Sequence, residues 1–220
     1  MANRKLIFYA VFFFALFGLF LFFVFVGTDN WKSKPPVLGY VREFSFVNTE
    51  GEKVDNRVMA GKVCVVNFFF TNCKGVCPRM NGRMMEIYQD FKNEPDLLLM
   101  SHTCDPERDS VTQLKKYADG MGIDKKRWIF LTGRKDSLYQ AARVSYLLDD
   151  PNNKVNVLTD DFLHTQFIAL VDKQGKVRSQ VFDALKAEDM NLLKVNIQKL
   201  LKESGEANKF SGGLFLNNPQ

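Results

Sequence analysis

The chain has 220 residues, 46% of them hydrophobic, with a formal net charge of +5. That length allows one membrane anchor and one domain of ordinary size with a sizeable buried core, and no second globular domain is needed. Arg4 and Lys5 supply two of the positive charges, the other basic residues are interspersed with acids, and no basic stripe alternates with aromatics, which argues against nucleic-acid binding.

After a head at residues 1–5, residues 6–26 form an unbroken apolar run of 21 residues with no charge or proline, holding nine of the 21 phenylalanines. As a helix it would span roughly 31 Å, close to the hydrocarbon thickness of a bilayer. A cleaved signal peptide is the competing reading. Its apolar stretch is usually about 7–15 residues and ends at a small-x-small site, and neither feature occurs here. A retained anchor is therefore expected, with the following domain outside the cytoplasm, on the periplasmic side of the inner membrane. Lys32 and Lys34 after the run nearly balance Arg4 and Lys5 before it, so charge alone gives little orientation.

Residues 27–36, rich in Gly, Asp, Asn and Pro, read as a stiff spacer. The domain itself is expected over 37–202. Residues 44–47 and 53–54 flank a turn and suggest a hairpin, and 63–70 is a near-continuous apolar run of the kind buried on both faces of a sheet. Pro78 suits the first turn of a helix along which Met80, Met84, Ile87, Tyr88 and Phe91 recur at helical spacing. A strand at 97–100 follows, then a helix capped by Ser110 and ending near Gly120 and Gly122. Next come a strand at 128–131, a helix around 137–144, a hairpin at 167–171 and 177–182, and an amphipathic helix at 187–201. Strands alternating with helices, then a hairpin and a last helix, predict an α/β thioredoxin-like fold. The tail from 203 to 220 has little to pack and is expected to be mobile.

Chemistry concentrates at Thr71-Asn72-Cys73-Lys74-Gly75-Val76-Cys77-Pro78, between a buried strand and a helix. Ligand sites form at such carboxyl ends of strands, and a helix N-terminus favours thiolate, the form that attacks disulfides and binds metals. Residues four apart share a helix face, so both sulfurs can meet one ion or each other. Three readings stay open from the residues alone: a metal site, a redox pair, and a structural disulfide whose very short loop would contribute little entropy. The spacing has three intervening residues, one more than the Cys-x-x-Cys of thioredoxin-type exchange. Cys64, inside a central strand, reads as a small buried hydrophobe. His102 and Cys104 follow the next strand and are expected to line the approach to the site without being primary ligands.

Three blocks occur in order: Phe68-Phe69-Phe70-Thr71-Asn72-Cys73 through Cys77-Pro78; Asp105-Pro106-Glu107-Arg108-Asp109; and His164-Thr165 before Ile168-Ala169-Leu170-Val171-Asp172-Lys173-Gln174-Gly175. Together they resemble the Sco/SenC family, over roughly residues 38–201. The resemblance implies a membrane-tethered, thioredoxin-like copper carrier that helps to build the binuclear copper site of cytochrome c oxidase. It implies Cys73, Cys77 and His164 as ligands for Cu(I) or Cu(II), with a copper-receiving oxidase subunit as partner. Soft thiolates favour Cu(I) and imidazole suits either oxidation state, so the donor set is chemically apt. Family members often carry an aspartate just before the histidine. Here Leu163 stands there, and a carboxylate to orient the imidazole would come from elsewhere, with Asp161 and Asp105 as candidates. The rival function is a thiol–disulfide reductase using Cys73 and Cys77 as its dithiol, acting on the cysteines of the oxidase copper site. Peroxide reduction by one acidic cysteine is a remoter third.

Overall fold

A computed structural model describes residues 2–25, 35–148 and 166–203. It divides into two units, 1–35 and 36–220. In the first, α1 (Ala2–Phe25) is apolar from Leu6 onward, and its stretch Arg4–Phe23 has a mean hydropathy of 2.7. That length and composition suit a membrane span or a signal helix.

The second unit is built on an eight-stranded mixed sheet. Its strands are β1 (Val37–Tyr40), β2 (Ser45–Asn48), β3 (Lys53–Asp55), β4 (Val63–Phe69), β5 (Leu97–Thr103), β6 (Trp128–Thr132), β7 (Phe167–Val171) and β8 (Lys176–Asp183). Their spatial order is β1-β8-β7-β4-β5-β6-β2-β3. Strands β4, β5 and β6 run parallel at the centre, and β7 lies antiparallel against β4. Every residue of β4 and β5 is buried, as expected of parallel strands covered on both faces.

Because side chains alternate across a strand, the two faces build two cores. On one face Val63, Val65, Phe69, Leu97 and Leu99 pack under α2 (Val76–Asp90), α3 (Val111–Met121) and α5 (Ala187–Lys202), which contribute Met80, Met84, Leu114, Leu193 and Ile197. On the other, Cys64, Val66, Phe68, Leu98 and Met100 pack against Leu138, Tyr139, Ala142 and Tyr146, and against Phe46 of β2.

Local signals explain the element ends. Ser110 caps α3 by accepting the Gln113 N–H at 3.3 Å, and Gly122 closes the helix in the left-handed conformation at φ 63°. The β7–β8 turn is organised by Asp172, whose carboxylate accepts the N–H groups of Gln174 and Lys176 and pairs with buried Arg178 at 2.7 Å. The helix expected around 137–144 is α4 (Lys135–Gln140), which widens into one π turn over Ala141–Ser145 before Leu147 adopts a positive φ of 57°. β1 lies within the stretch just after the expected spacer and closes the sheet edge by pairing with β8. The strand expected at 97–100 continues to Thr103 because Ser101, His102 and Thr103 pair with Asn67, Phe68 and Phe69.

Candidate metal centre

β4 ends at Phe69, and α2 begins at Val76 after six intervening residues. Between them Cys73 donates its N–H to the Phe70 carbonyl at 3.3 Å, which folds the loop back over the strand end. Gly75, at the N-cap of α2, makes no side-chain cap hydrogen bond. The Cys77 thiol and the backbone N–H groups of Cys77, Gly75 and Val76 instead act on the Cys73 sulfur in favour of its thiolate. Cys73 therefore does the work of a capping acceptor, and the orphan N–H groups of the first turn serve a sulfur.

The two thiols are made unequal by this geometry. Partial burial opposes ionisation of Cys73, yet the hydrogen bonds from the Cys77 thiol and the backbone outweigh it and bring the thiol below its ordinary range. Burial, and then the neighbouring Cys73 sulfur, push Cys77 up to about 12, against a Phe70 N–H that pulls it down. Cys77 is 5% exposed and packs on the helix-covered core, while Cys73 sits half-buried at its edge. Both are free thiols. A half-exposed thiolate beside a buried thiol is a competent attacking pair, and two sulfurs at a helix N-terminus fit a soft cation.

The loop is clamped by Asp109. Its carboxylate, 1% exposed, accepts the Thr71 N–H at 3.1 Å, the Thr71 hydroxyl at 2.5 Å and the Thr103 hydroxyl at 2.6 Å. Gln113 of α3 adds a hydrogen bond to the Thr71 hydroxyl at 3.3 Å. The loops after β4 and β5 are thus fastened together two residues before Cys73.

The other expected site residues fall in distinct places. The Asp105 carboxylate faces Arg108 at 3.6 Å, and its backbone N–H donates to Thr103. Cys104 is 1% exposed and donates its thiol to the Phe69 carbonyl at 3.3 Å, and burial drives it well above the usual thiol range. His102 was expected to line the approach to the site without being a primary ligand. Alternation along β5 turns it to the opposite face from α2, where it is fully buried among Phe44, Phe46, Phe68 and Tyr146, stacked on Phe68 at 4.8 Å. Neither ring nitrogen has a hydrogen-bond partner among the described residues. Cys64 is fully buried in β4, and burial raises its thiol as well. His164, Asp161 and Leu163 lie outside the described residues, as does most of the tail from 203.

The sequence profile of the SCO1/SenC family matches residues 34–198. The chain belongs to the SCO1/SenC family. It is 32% identical over 163 residues to the SCO1 protein homolog of Bacillus subtilis, covering 72% of this chain and 81% of that protein. The human mitochondrial SCO1 homolog is 26% identical over 146 residues, covering 64% of this chain and 46% of that longer protein. Among solved structures, BsSco, described as having a disulfide switch and as a member of the Sco family of cytochrome c oxidase assembly proteins, superposes with a TM-score of 0.64 at 26% identity, covering 78% of this chain and all of that one. A SCO1/SenC family lipoprotein from Bacillus anthracis superposes equally well, TM-score 0.64 at 25% identity, over 76% of this chain and 99% of that one. Copper-bound ScoI from Bradyrhizobium japonicum, at 19% identity with a TM-score of 0.56 over 76% of this chain and 99% of its own, shares the fold. The thioredoxin-like architecture read from the strand and helix order is the one these relatives have.

The Asp109 clamp was only partly foreseen. Its block was recognised, but the sequence gives no sign of which carboxylate turns inward. Asn67, Asn81 and Tyr117, which join beneath the site, were not singled out, because isolated polar residues on apolar elements resemble surface positions until the partner strands are aligned.

Proposed function

We propose that this protein is a membrane-tethered metallochaperone that carries copper to the binuclear copper site of cytochrome c oxidase, with Cys73, Cys77 and His164 holding the ion. The observation that carries this reading is the Cys73–Cys77 pair at the open start of α2, one sulfur already favoured as thiolate by three backbone N–H groups. Thiolates bind Cu(I) strongly, and an imidazole widens the set to Cu(II). The register places Ile168 of β7 beside Asn67 of β4, so β7 starts next to the strand end that leads to the cysteines. His164 precedes Phe167 by only three residues in the chain. Relatives of the same fold with copper bound add support. Helix α1 would hold the domain at the membrane surface, where its recipient subunit is assembled, and copper would leave by exchange of these ligands for those of the recipient.

Anaerobic titration of the reduced protein with Cu(I) and Cu(II) tests this. One equivalent of each should bind, Cu(II) giving an intense sulfur-to-copper charge-transfer band that is lost in His164→Ala. An unchanged band and affinity in that variant would remove His164 from the ligand set.

A second reading rests on the inequality of the two thiols. A lowered Cys73 beside a raised Cys77 is the arrangement of a dithiol reductant, and BsSco is described as carrying a disulfide switch. On this reading the protein reduces the cysteines of the recipient site. A recipient peptide first oxidised to its disulfide and then mixed with the reduced protein would recover its two thiols as Cys73 and Cys77 become linked.

A further inference from the structure

Four buried polar side chains and the half-buried Tyr117 form one directional line through the helix-covered core. The Trp128 indole N–H donates to Ser101 Oγ at 2.8 Å, and the Ser101 hydroxyl donates to Asn67 Oδ1 at 2.6 Å. Asn67 Nδ2 donates to Asn81 Oδ1 at 3.1 Å, and Asn81 Nδ2 donates to the Tyr117 hydroxyl oxygen at 2.8 Å. The line crosses β6, β5 and β4 in turn, enters α2 at Asn81 and ends on α3. Trp128, Ser101 and Asn67 are fully buried and Asn81 is 4% exposed. Four polar side chains at the centre of an apolar layer would be costly there if any were unpaired.

Two features tie this line to the cysteines. Asn81 follows Cys77 by one helical turn, and both belong to the buried face of α2. Fixing Asn81 from both sides therefore fixes the rotation of the turn that carries Cys77. At the far end, the Tyr117 oxygen is an acceptor for Asn81, which leaves its own O–H to be given away. The Tyr117 ring packs against Phe69 at 5.3 Å, on the same core as Cys73 and Cys77. After its burial and its bond with Asn81, the titratable groups that bear on the Tyr117 hydroxyl are Cys77, Asp109 and Cys73. Because every bond points the same way, each polarises the next, and the last O–H is the strongest donor.

We propose that Asn81 and Tyr117 are positioning residues for the Cys73–Cys77 pair, holding Cys77 in register and turning a polarised phenol O–H toward the sulfurs so that the reduced dithiol is favoured over the disulfide. This rests on the reading of Cys73 and Cys77 as the working pair. It concerns a balance of defined stoichiometry: the two thiols lose two electrons and two protons to one glutathione disulfide, forming the Cys73–Cys77 bond and releasing two glutathione molecules.

The test is redox equilibration of the full-length, detergent-solubilised protein against glutathione buffers, followed by trapping of free thiols and mass measurement. Tyr117→Phe removes only the hydroxyl, and Asn81→Leu removes both links at similar volume. Each should shift the equilibrium at least about threefold toward the disulfide. Asn81→Asp, whose carboxylate would take the Tyr117 O–H for itself, should shift it toward the disulfide about as far as Tyr117→Phe does. Urea midpoints measured alongside separate a structural role: variants that lose stability but keep the parent equilibrium overturn the proposal, as does a shift toward the dithiol. If Tyr117→Phe shifts the equilibrium and Asn81→Leu fails to fold, the Asn81→Asp result decides the part played by Asn81. A parent protein that forms no Cys73–Cys77 disulfide in any buffer overturns the working-pair reading itself, a result distinct from an unshifted variant.

Discussion

The Asp109 carboxylate holds Thr71 twice, accepting its backbone N–H at 3.1 Å and its hydroxyl at 2.5 Å. Thr71 lies two residues before Cys73, whereas Asp109 comes from the loop after β5, so one buried side chain ties the cysteine loop to the neighbouring strand. Removing it would leave two hydroxyls and an amide without their acceptor. Asp109→Ala should cost about 3 kcal/mol in urea unfolding, since each buried hydrogen bond to a charged group contributes roughly 1.5–3 kcal/mol. Its Cu(I) affinity should drop about tenfold, as the loop loses its fixed approach to Cys77. Asp109→Asn should lose less in both measurements.

Alkylation should discriminate sharply among the four cysteines. Cys73 is half-buried with a lowered thiol, while Cys77 is buried and pushed up to about 12. Iodoacetamide at neutral pH, followed by peptide mass mapping, should modify Cys73 first by more than an order of magnitude, because only the thiolate attacks. Cys64 and Cys104 should react only after unfolding.

His102 gives the fold a defined acid sensitivity. Burial alone lowers it from an ordinary value of 6.5 to about 3, and its ring contacts are with Phe44, Phe46, Phe68 and Tyr146. As the pH falls through 6.5 the unfolded chain takes up a proton that the folded chain refuses until about 3. The unfolded state therefore holds more protons across that window, and stability is complete above it and declines as the pH drops into it. The full loss is at most about 4–5 kcal/mol, at about 1.4 kcal/mol per pH unit. Urea midpoints at pH 7.5 and 5 should differ clearly in the parent and much less in His102→Leu.

Gly133 supports the same ring cluster from outside. A Cβ built there would lie 2.7 Å from Cδ1 of Phe46, which stacks on Phe44 at 5.1 Å and meets His102 edge-on at 5.2 Å. A phenyl ring wedged among other rings has little room to yield, so Gly133→Ala should cost about 1–3 kcal/mol. Thermal unfolding of the variant would show this as a lowered midpoint.

Much of this architecture was legible before any coordinates. The apolar run of β4, the Ser110 cap with Gly122, and the β7–β8 turn each carry a local signal that survives tertiary context. β1 was not read, because its four residues pair with β8, more than 130 positions away, and show no alternation of their own. The cysteine pair announced itself by spacing and position. Its support did not, because Asn67, Ser101, Asn81, Tyr117 and Asp109 become partners only once β4, β5 and two helices are aligned. His102 shows the opposite error: two residues before Cys104 it looked like part of the site, and strand alternation alone sends its ring to the other face of the sheet.

The sealing of Cys64 and Cys104 bears on how this chain reaches its folded state. Four thiols exposed to an oxidant permit six pairings, five of them wrong for a site that uses Cys73 with Cys77. Once β4 and β5 are paired, the two sealed sulfurs are withdrawn from oxidants and from each other's neighbours. Scrambling that involves these two sulfurs is then confined to the interval before the central strands close.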